Sequence, residues 1–207
     1  MTRSFRFFLI LGIGLLAIDG AIFLFWWGQD RAHIAPTVAS SGTAAIGGPF
    51  RLSATDGKTV TDASFRGKWM LIYFGYTSCP DACPTALTNI SIAIQTLRRE
   101  AAAIQPLFIT VDPKRDTRAV LMEYLKSFDP RIAGLTGSEE QIRAAAKAYR
   151  VYVRPEPAKG DNSYLIDHSS YVYLMDPGGV FVDIIDAATP GPEMAEKLRK
   201  LTHAHTT

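Results

Sequence analysis

Several features that would point to particular protein classes are scarce in this sequence. The 207 residues carry a formal net charge of +2, which is too small to argue for nucleic acid as a partner. No repeat with a period of about 20 to 50 residues and no long low-complexity tract is present. Only two cysteines occur, whereas a structural zinc site usually has four protein ligands. The remaining composition, 20% charged and 47% hydrophobic, is typical of one globular domain with an appendage.

The appendage is an apolar run near the start of the chain, FFLILGIGLLAIDGAIFLFWW, residues 7–27. A helix over this run would be about 30 Å long, which is the hydrocarbon thickness of a bilayer. Trp26 and Trp27 end the run where an interfacial aromatic belt would lie. Arg3 and Arg6 precede it, so the positive-inside rule predicts one N-terminal transmembrane helix with a cytoplasmic N-terminus.

This interpretation of the apolar run leaves alternatives open. Asp19 lies inside it, at a cost of about 2.5–3.5 kcal/mol on insertion scales. The residue is either a charge that its apolar neighbours offset or a contact with a partner helix. A cleaved signal peptide would usually have an apolar core of about 7–15 residues followed by a small-residue cleavage site. The residues after Trp27 are GQDRAHIAP, so we favour an uncleaved anchor.

The sequence therefore predicts three segments. Residues 1–32 form a cytoplasmic tip and the transmembrane anchor. Residues 33–48, HIAPTVASSGTAAIGG, are mostly small and are typical of a flexible linker. Residues 49–207 form the folded domain, in which roughly 150 residues can bury a single core on the far side of the membrane.

Hydrophobic periodicity within the domain alternates between strands and helices. The continuous apolar run WMLIYFGY, residues 69–76, predicts a central strand that is buried on both faces. The other predicted elements are a helix over 84–103, a strand over 105–112, a helix over 116–128 capped by Asp116, a helix over 138–150 with a Ser138–Gln141 capping box, a hairpin of 171–175 and 180–185, and a helix over 189–205 capped by Thr189.

The order of these elements predicts the fold. Strands separated by helices favour parallel pairing, and the hairpin adds an antiparallel edge. The arrangement is that of an α/β domain with a thioredoxin-like sheet and flanking helices.

Both cysteines lie in one stretch, YFGYTSCPDACPTAL, residues 73–87, between the central strand and the first long helix. Binding sites in open α/β sheets form at the carboxyl ends of strands. The N-terminus of a helix at that place would favour the thiolate form of Cys79 and Cys83.

Three interpretations of the cysteine pair compete. A structural disulfide would close a short loop and would contribute little loop entropy. A dithiol oxidoreductase usually has C-x-x-C, whereas the spacing here is C-x-x-x-C. At i and i+4 of a helix the Cβ atoms would be about 5–6 Å apart, further than the roughly 3.5–4.5 Å of a disulfide. A metal site is the third interpretation, since thiolates select Cu(I), Zn(II) or iron–sulfur clusters.

A third metal ligand is available in His168, within the stretch DHSS before the hairpin strand. Thioredoxin-like oxidoreductases place a cis-proline there, opposite the active site, whereas this sequence has no proline in that stretch. A lone histidine is more often a surface or capping residue, but this position favours a ligand. Two cysteines and one histidine form a soft, low-coordinate site suited to copper in either oxidation state.

Charged residues near the cysteines have both structural and functional interpretations. Asp81 either exposes a charge on a turn or tunes the thiol pKa values and the docking of a partner. The DPKRD loop, residues 112–116, either caps a helix with a local Arg115–Asp116 arrangement or forms a loop beside the site, because strand ends converge there.

Aromatic residues and other polar residues also have alternative interpretations. The aromatic residues Tyr73, Phe74 and Tyr76 are predicted to form core and pocket wall. Asp167 is a candidate acceptor for the ring of His168, but adjacent side chains of an extended segment point apart, which disfavours this role.

Two further histidines, His203 and His205, lie near the end of the chain. They would bind metal only if that end were ordered, and terminal tails usually are not.

Four blocks of this sequence resemble, in order, the signature blocks of the Sco (SenC) family. The blocks are YFGYTSCPDACP, TVDPKRDT, GLTGS and DHSSYVYLMDPGGVF, and the resemblance runs from about residue 48 to 187. Members of that family are membrane-anchored, thioredoxin-fold copper proteins that help to load the binuclear copper site of cytochrome c oxidase. The resemblance implies that Cys79, Cys83 and His168 are copper ligands.

The resemblance also implies partners and a location. The partners would be the copper-site subunit of cytochrome c oxidase and an upstream copper donor. The anchor would lie in an inner membrane, with the domain in the periplasm or the mitochondrial intermembrane space.

Family members are assigned to copper delivery and to thiol–disulfide reduction of the oxidase cysteines, so whether this chain is an enzyme stays open here. A peroxiredoxin is disfavoured, because Tyr76 stands where such enzymes have Thr or Ser before the attacking Cys79.

Overall fold

The computed structural model of the protein describes residues 46–156 and 164–205. This part of the chain contains both strands and helices. The strands β1 to β9 are Arg51–Ala54, Thr59–Thr61, Trp69–Gly75, Ile104–Thr110, Ala133–Thr136, Val153–Pro155, Ile166–His168, Tyr171–Met175 and Phe181–Asp186. The α-helices α1 to α4 are Ala82–Leu97, Arg118–Leu125, Glu139–Ala148 and Gly191–Ala204, and Asp62–Phe65 and Glu100–Ala103 are short 3₁₀ helices.

The strands form a seven-stranded sheet in the order β2-β1-β5-β4-β3-β8-β9, with β6 and β7 in a small separate sheet. The pairs β3–β4 and β4–β5 are parallel, and the other pairs are antiparallel. Helices α1 and α4 pack against each other, α2 packs on β5 and α3 contacts β1. The predicted thioredoxin-like sheet, with a parallel centre and an antiparallel hairpin at one edge, is confirmed.

The central strand β3 is buried along its whole length, as its apolar sequence predicts. It runs in register with β4, so that Gly75 lies opposite Thr110 at the ends of the two strands. The loop that carries the cysteines and the DPKRD loop therefore leave the sheet side by side. A side chain at Gly75 would be crowded, because a Cβ there would lie 2.9 Å from Cys83 Sγ and 2.8 Å from a ring carbon of Phe108.

Some predicted element boundaries and caps are wrong. Helix α1 begins at Ala82, because Pro84 is tolerated in a first turn whose N–H groups have no helical partner, and it ends at Leu97. The N-cap of α2 is Thr117, whose side chain accepts a hydrogen bond from the N–H of Val120, and not Asp116. The N-cap of α4 is Pro190, without a side-chain cap, and not Thr189.

The Ser138–Gln141 capping box of α3 is confirmed. The N–H of Gln141 donates to Ser138 Oγ at 3.2 Å, and the N–H of Ser138 donates to Gln141 Oε1 at 2.8 Å. The strands β1, β2, β5, β6 and β7 were not predicted, because each spans three or four residues and lacks a continuous apolar run.

Across residues 46–156 and 164–205, no helix is long and apolar enough to cross a membrane. The predicted anchor over residues 7–27, with Asp19 inside it, and nearly all of the predicted linker lie outside the described residues.

Candidate metal centre

Cys79 lies in a turn that follows β3, and Cys83 lies in the first turn of α1. The N–H of Cys79 donates to the carbonyl of Tyr76 at 3.3 Å, which closes the turn. The N–H of Cys83 donates to Cys79 Sγ at 3.4 Å. Cys79 therefore precedes the helix, and its sulfur accepts from the positive end of α1. Both thiols are free; Cys83 is buried and Cys79 is half-buried.

His168 is the last residue of β7, where it pairs with Val153 of β6. Its Nε2 lies 3.4 Å from Cys83 Sγ, and its Nδ1 lies 3.1 Å from the carbonyl oxygen of Ser169. A carbonyl can only accept, so the contact places a proton on Nδ1 and leaves Nε2 as the ring nitrogen that faces the thiols and could bind a metal ion.

The structure brings the three sequence-predicted ligand residues together. The two Sγ atoms of Cys79 and Cys83 and a ring nitrogen of His168 all lie within 4.8 Å of one another. Metal–sulfur bonds of about 2.3 Å and metal–nitrogen bonds of about 2.0–2.1 Å would span such separations. One soft ion would therefore fit between them with small side-chain adjustments.

The two thiols are held in different protonation states. The thiol of Cys83 and the backbone N–H groups of Cys83 and Asp81 lower the pKa of Cys79 to about 5, against the opposing effect of burial. The hydrogen bond between the two thiols and burial raise the pKa of Cys83 above its ordinary value. At neutral pH the site therefore holds one thiolate and one thiol, and a metal ion has to displace the Cys83 proton.

Aromatic side chains form the wall of the site, as predicted. The hydroxyl of Tyr73 donates to Cys83 Sγ at 3.7 Å, and its ring lies edge-on to His168 with centroids 6.2 Å apart. The ring of Tyr76 lies 5.8 Å from that of His168. The hydroxyl of Tyr76 accepts from the N–H of Ile166 at 3.2 Å, which ties the end of β3 to β7.

The DPKRD loop lies beside the site, but the predicted Arg115–Asp116 arrangement is wrong. Arg115 pairs with Asp112, and its Nη1 donates to the carbonyl of Tyr164 at 2.9 Å. The guanidinium carbon lies 3.8 Å above the ring of Tyr164, whose hydroxyl donates to Asp112 Oδ1 at 2.8 Å. The contact with Tyr164 was not predicted, because Tyr164 is far along the chain from this loop and belongs to no motif.

Other predicted candidates lie outside the cluster. Asp167 is exposed, and the ring of His168 meets the carbonyl of Ser169 instead. His205 lies edge-on to Trp69, at the start of β3 and so at the opposite end of the strand from the cysteines. His203 lies 3.6 Å from Glu100 in the same region.

Comparison with known proteins identifies relatives along most of the chain. A family model described as SCO1/SenC matches residues 38–203. The protein "SCO1 homolog 1, mitochondrial" of Arabidopsis thaliana is 45% identical over 159 residues, which are 73% of this chain and 47% of that protein. "Protein SCO1, mitochondrial" of Saccharomyces cerevisiae is 42% identical over 176 residues, 82% of this chain and 60% of that protein. This chain therefore spans about half to three fifths of the length of these relatives.

Two solved structures are also similar. The structure of Bradyrhizobium japonicum ScoI with copper bound matches with a TM-score of 0.71 and 44% identity. The match covers 76% of this chain and 99% of the Bradyrhizobium japonicum chain. The structure of Arabidopsis thaliana ScoI with copper bound matches with a TM-score of 0.73 and 41% identity. The match covers 77% of this chain and 99% of the Arabidopsis thaliana chain.

Proposed function

We propose that this chain, which belongs to the SCO1/SenC family, is a copper metallochaperone that carries one copper ion on Cys79, Cys83 and His168. The observation that carries this proposal is the convergence of two thiol sulfurs and one imidazole nitrogen within 4.8 Å. The recipient would be the binuclear copper site of cytochrome c oxidase, and an upstream donor would supply the ion.

The chemistry of the ligand set supports copper as the cargo. Thiolate sulfur is a soft ligand that suits Cu(I), and imidazole suits Cu(II) as well. Structural zinc is usually held by four protein ligands in a closed tetrahedron, and the described cluster offers three. A three-ligand site leaves a position on the ion at which a recipient's ligand can bind before the carrier's ligands leave.

The relatives support the proposed location. Curated relatives are named as mitochondrial proteins, and two similar solved proteins are described with copper bound. Together with the anchor predicted over residues 7–27, this supports an inner-membrane protein. Its domain would face the periplasm or the mitochondrial intermembrane space.

A second candidate function is thiol–disulfide reduction of the oxidase cysteines, and the low pKa of Cys79 favours it. The Cys79 thiolate would attack a substrate disulfide and form a mixed disulfide, releasing one substrate thiolate. Cys83 would then give its proton to the substrate thiolate that was released first and attack Cys79 Sγ, which releases the second substrate sulfur as a thiolate. The products would be a reduced substrate and a Cys79–Cys83 disulfide. This route requires both thiols but no imidazole.

The variant His168→Ala separates the two functions, with His203→Ala as the control from outside the site. We expect the reduced full-length protein, purified in detergent, to bind one copper per chain and to retain little zinc against a chelator. Cupric wild-type protein should show an intense thiolate-to-copper absorption. His168→Ala should lose that absorption and fail to support oxidase assembly at limiting copper, while still forming and exchanging the Cys79–Cys83 disulfide.

Two outcomes would contradict the copper carrier. If His168→Ala supports full oxidase activity at limiting copper, the copper-carrier function is wrong and thiol–disulfide reduction is the better proposal. Zinc retention equal to or better than copper retention would remove copper as the cargo.

A further inference from the structure

The carboxylate of Asp116 is completely buried between the sheet and the cysteine loop, with 0% of the residue exposed. Its Oδ2 accepts hydrogen bonds from the N–H of Thr77 at 3.0 Å and from the hydroxyl of Thr110 at 2.6 Å. Its Oδ1 accepts from the hydroxyl of Thr77 at 2.6 Å. Hydrogen bonds to a carboxylate are roughly twice as strong as those between neutral groups.

Two of these three hydrogen bonds come from the turn that carries Cys79. Thr77 follows Tyr76 in the turn that the hydrogen bond from Cys79 to Tyr76 closes. Asp116 therefore binds both the backbone and the side chain of the residue at the corner of this turn. Ser78 and Pro80, which flank Cys79, are exposed and add little packing of their own.

Asp116 is itself fixed by the ends of two further strands. Its carbonyl accepts from the hydroxyl of Thr136 at the end of β5, at 3.1 Å, and its N–H donates to the carbonyl of Asp112 at 2.9 Å. Thr110, the last residue of β4, contacts its carboxylate. The chain segments that leave β3, β4 and β5 thus meet at one buried residue, Asp116.

We propose that Asp116 is a positioning residue of the copper site, which acts through Thr77 to set Cys79 Sγ at its distance from Cys83 and His168. Asp116 does not touch the ligand atoms, so its effect passes through the turn. The inference rests on the proposed copper site and adds a residue on which that site depends.

Two variants test the positioning role by weakening the hydrogen bonds between Asp116 and Thr77. Thr77→Val removes the hydroxyl bond at constant shape, and Asp116→Asn removes the negative charge. Thr77→Ser keeps both Thr77 bonds and is the matched control. Ser91→Ala removes a buried hydrogen bond from the N–H of Asp129, at 3.0 Å and outside the Asp116–Thr77 contact, and so controls for a general loss of stability.

Two readouts on the full-length protein are needed. Copper affinity, by chelator competition, and the cupric absorption spectrum report the loaded site. The rate of Cys79–Cys83 disulfide formation in the reduced, metal-free protein reports the same geometry without copper. We expect Thr77→Val and Asp116→Asn to bind copper about tenfold more weakly, with a shifted spectrum and an altered disulfide rate. Thr77→Ser and Ser91→Ala should match the wild type in both readouts.

The inference would be overturned if both Thr77→Val and Asp116→Asn showed wild-type spectra, affinities and disulfide rates. It would also be overturned if Ser91→Ala changed these quantities as much as they do. If Asp116→Asn fails to fold, Thr77→Val, which keeps the buried charge, decides the matter. Failure of the wild-type protein to bind copper would instead refute the proposed function. The metal-free disulfide rates would then still show whether Asp116 positions Cys79.

Discussion

The two sides of the candidate copper site are built on different supports. Cys79 and Cys83 lie where the central strand β3 meets α1, inside the main sheet and its core. His168 ends β7, a three-residue strand that pairs only with β6 among the described strands, in the small second sheet. A direct link between the supports is the hydrogen bond from the N–H of Ile166 to the hydroxyl of Tyr76.

This difference predicts unequal tolerance to change. The thiol pair depends on core packing and on buried hydrogen bonds, so altering it should affect both the metal site and the thiol chemistry. The imidazole depends on the small two-stranded sheet of β6 and β7, so altering that support should affect copper binding while the thiols keep their reactivity.

The largest effect is expected from Cys79→Ser and Cys83→Ser. Each variant replaces a soft thiolate with a hard hydroxyl, which Cu(I) binds poorly. We expect copper affinity to fall by more than about 100-fold in both variants, which exceeds typical losses for residues behind the ligands. Chelator competition with the reduced protein measures the change. Wild-type affinity in either variant would show that the thiols do not act as a pair.

The next effect concerns pH and distinguishes the two thiols from each other. Cys79 has a pKa lowered to about 5, so it is almost fully thiolate at neutral pH. Its alkylation by iodoacetamide should be constant from about pH 9 to 6 and fall about tenfold per pH unit below 5, because only the thiolate reacts. Cys83, which is buried and has a raised pKa, should stay unmodified over this range.

Peptide mapping of the alkylated protein assigns each modification. In Cys83→Ala the hydrogen bond that lowers the pKa of Cys79 is lost, so the midpoint of the Cys79 profile should move to higher pH. An unchanged midpoint would mean that the neighbouring thiol does not hold the Cys79 thiolate.

The smallest effect is expected from the matched pair Tyr76→Phe and Tyr73→Phe. Tyr76→Phe leaves the buried N–H of Ile166 without its acceptor, which should cost about 1–3 kcal/mol in the free energy of unfolding and weaken Cu(II) binding. Tyr73→Phe removes a long bond to Cys83 and should cost less. Urea unfolding and cupric titration measure both. If Tyr73→Phe loses more Cu(II) affinity than Tyr76→Phe, the support of His168 is not the weaker side of the site.

Local patterns predicted the parts of the fold that depend on neighbouring residues. The apolar run of β3, the hairpin of β8 and β9 and the Ser138–Gln141 box are confirmed because each depends on residues close together in the chain. Cys79, Cys83 and His168 were also identified as candidate ligands, from the residue types and from the order of the family blocks. Short strands such as β5 and β7 were missed, because pairing in the sheet stabilises them more than their own composition does.

The sequence by itself determined the α/β layout and the three candidate ligands. Only the tertiary structure decided what surrounds them. Asp116 satisfies the local pattern of a helix cap, yet its carboxylate binds Thr77, which lies 39 residues away, and Thr117 caps the helix. Arg115 likewise pairs with Asp112 and stacks on Tyr164. The physical reason is that a buried charge must find hydrogen-bond partners, and which partners are near depends on the strands whose ends the sheet brings together.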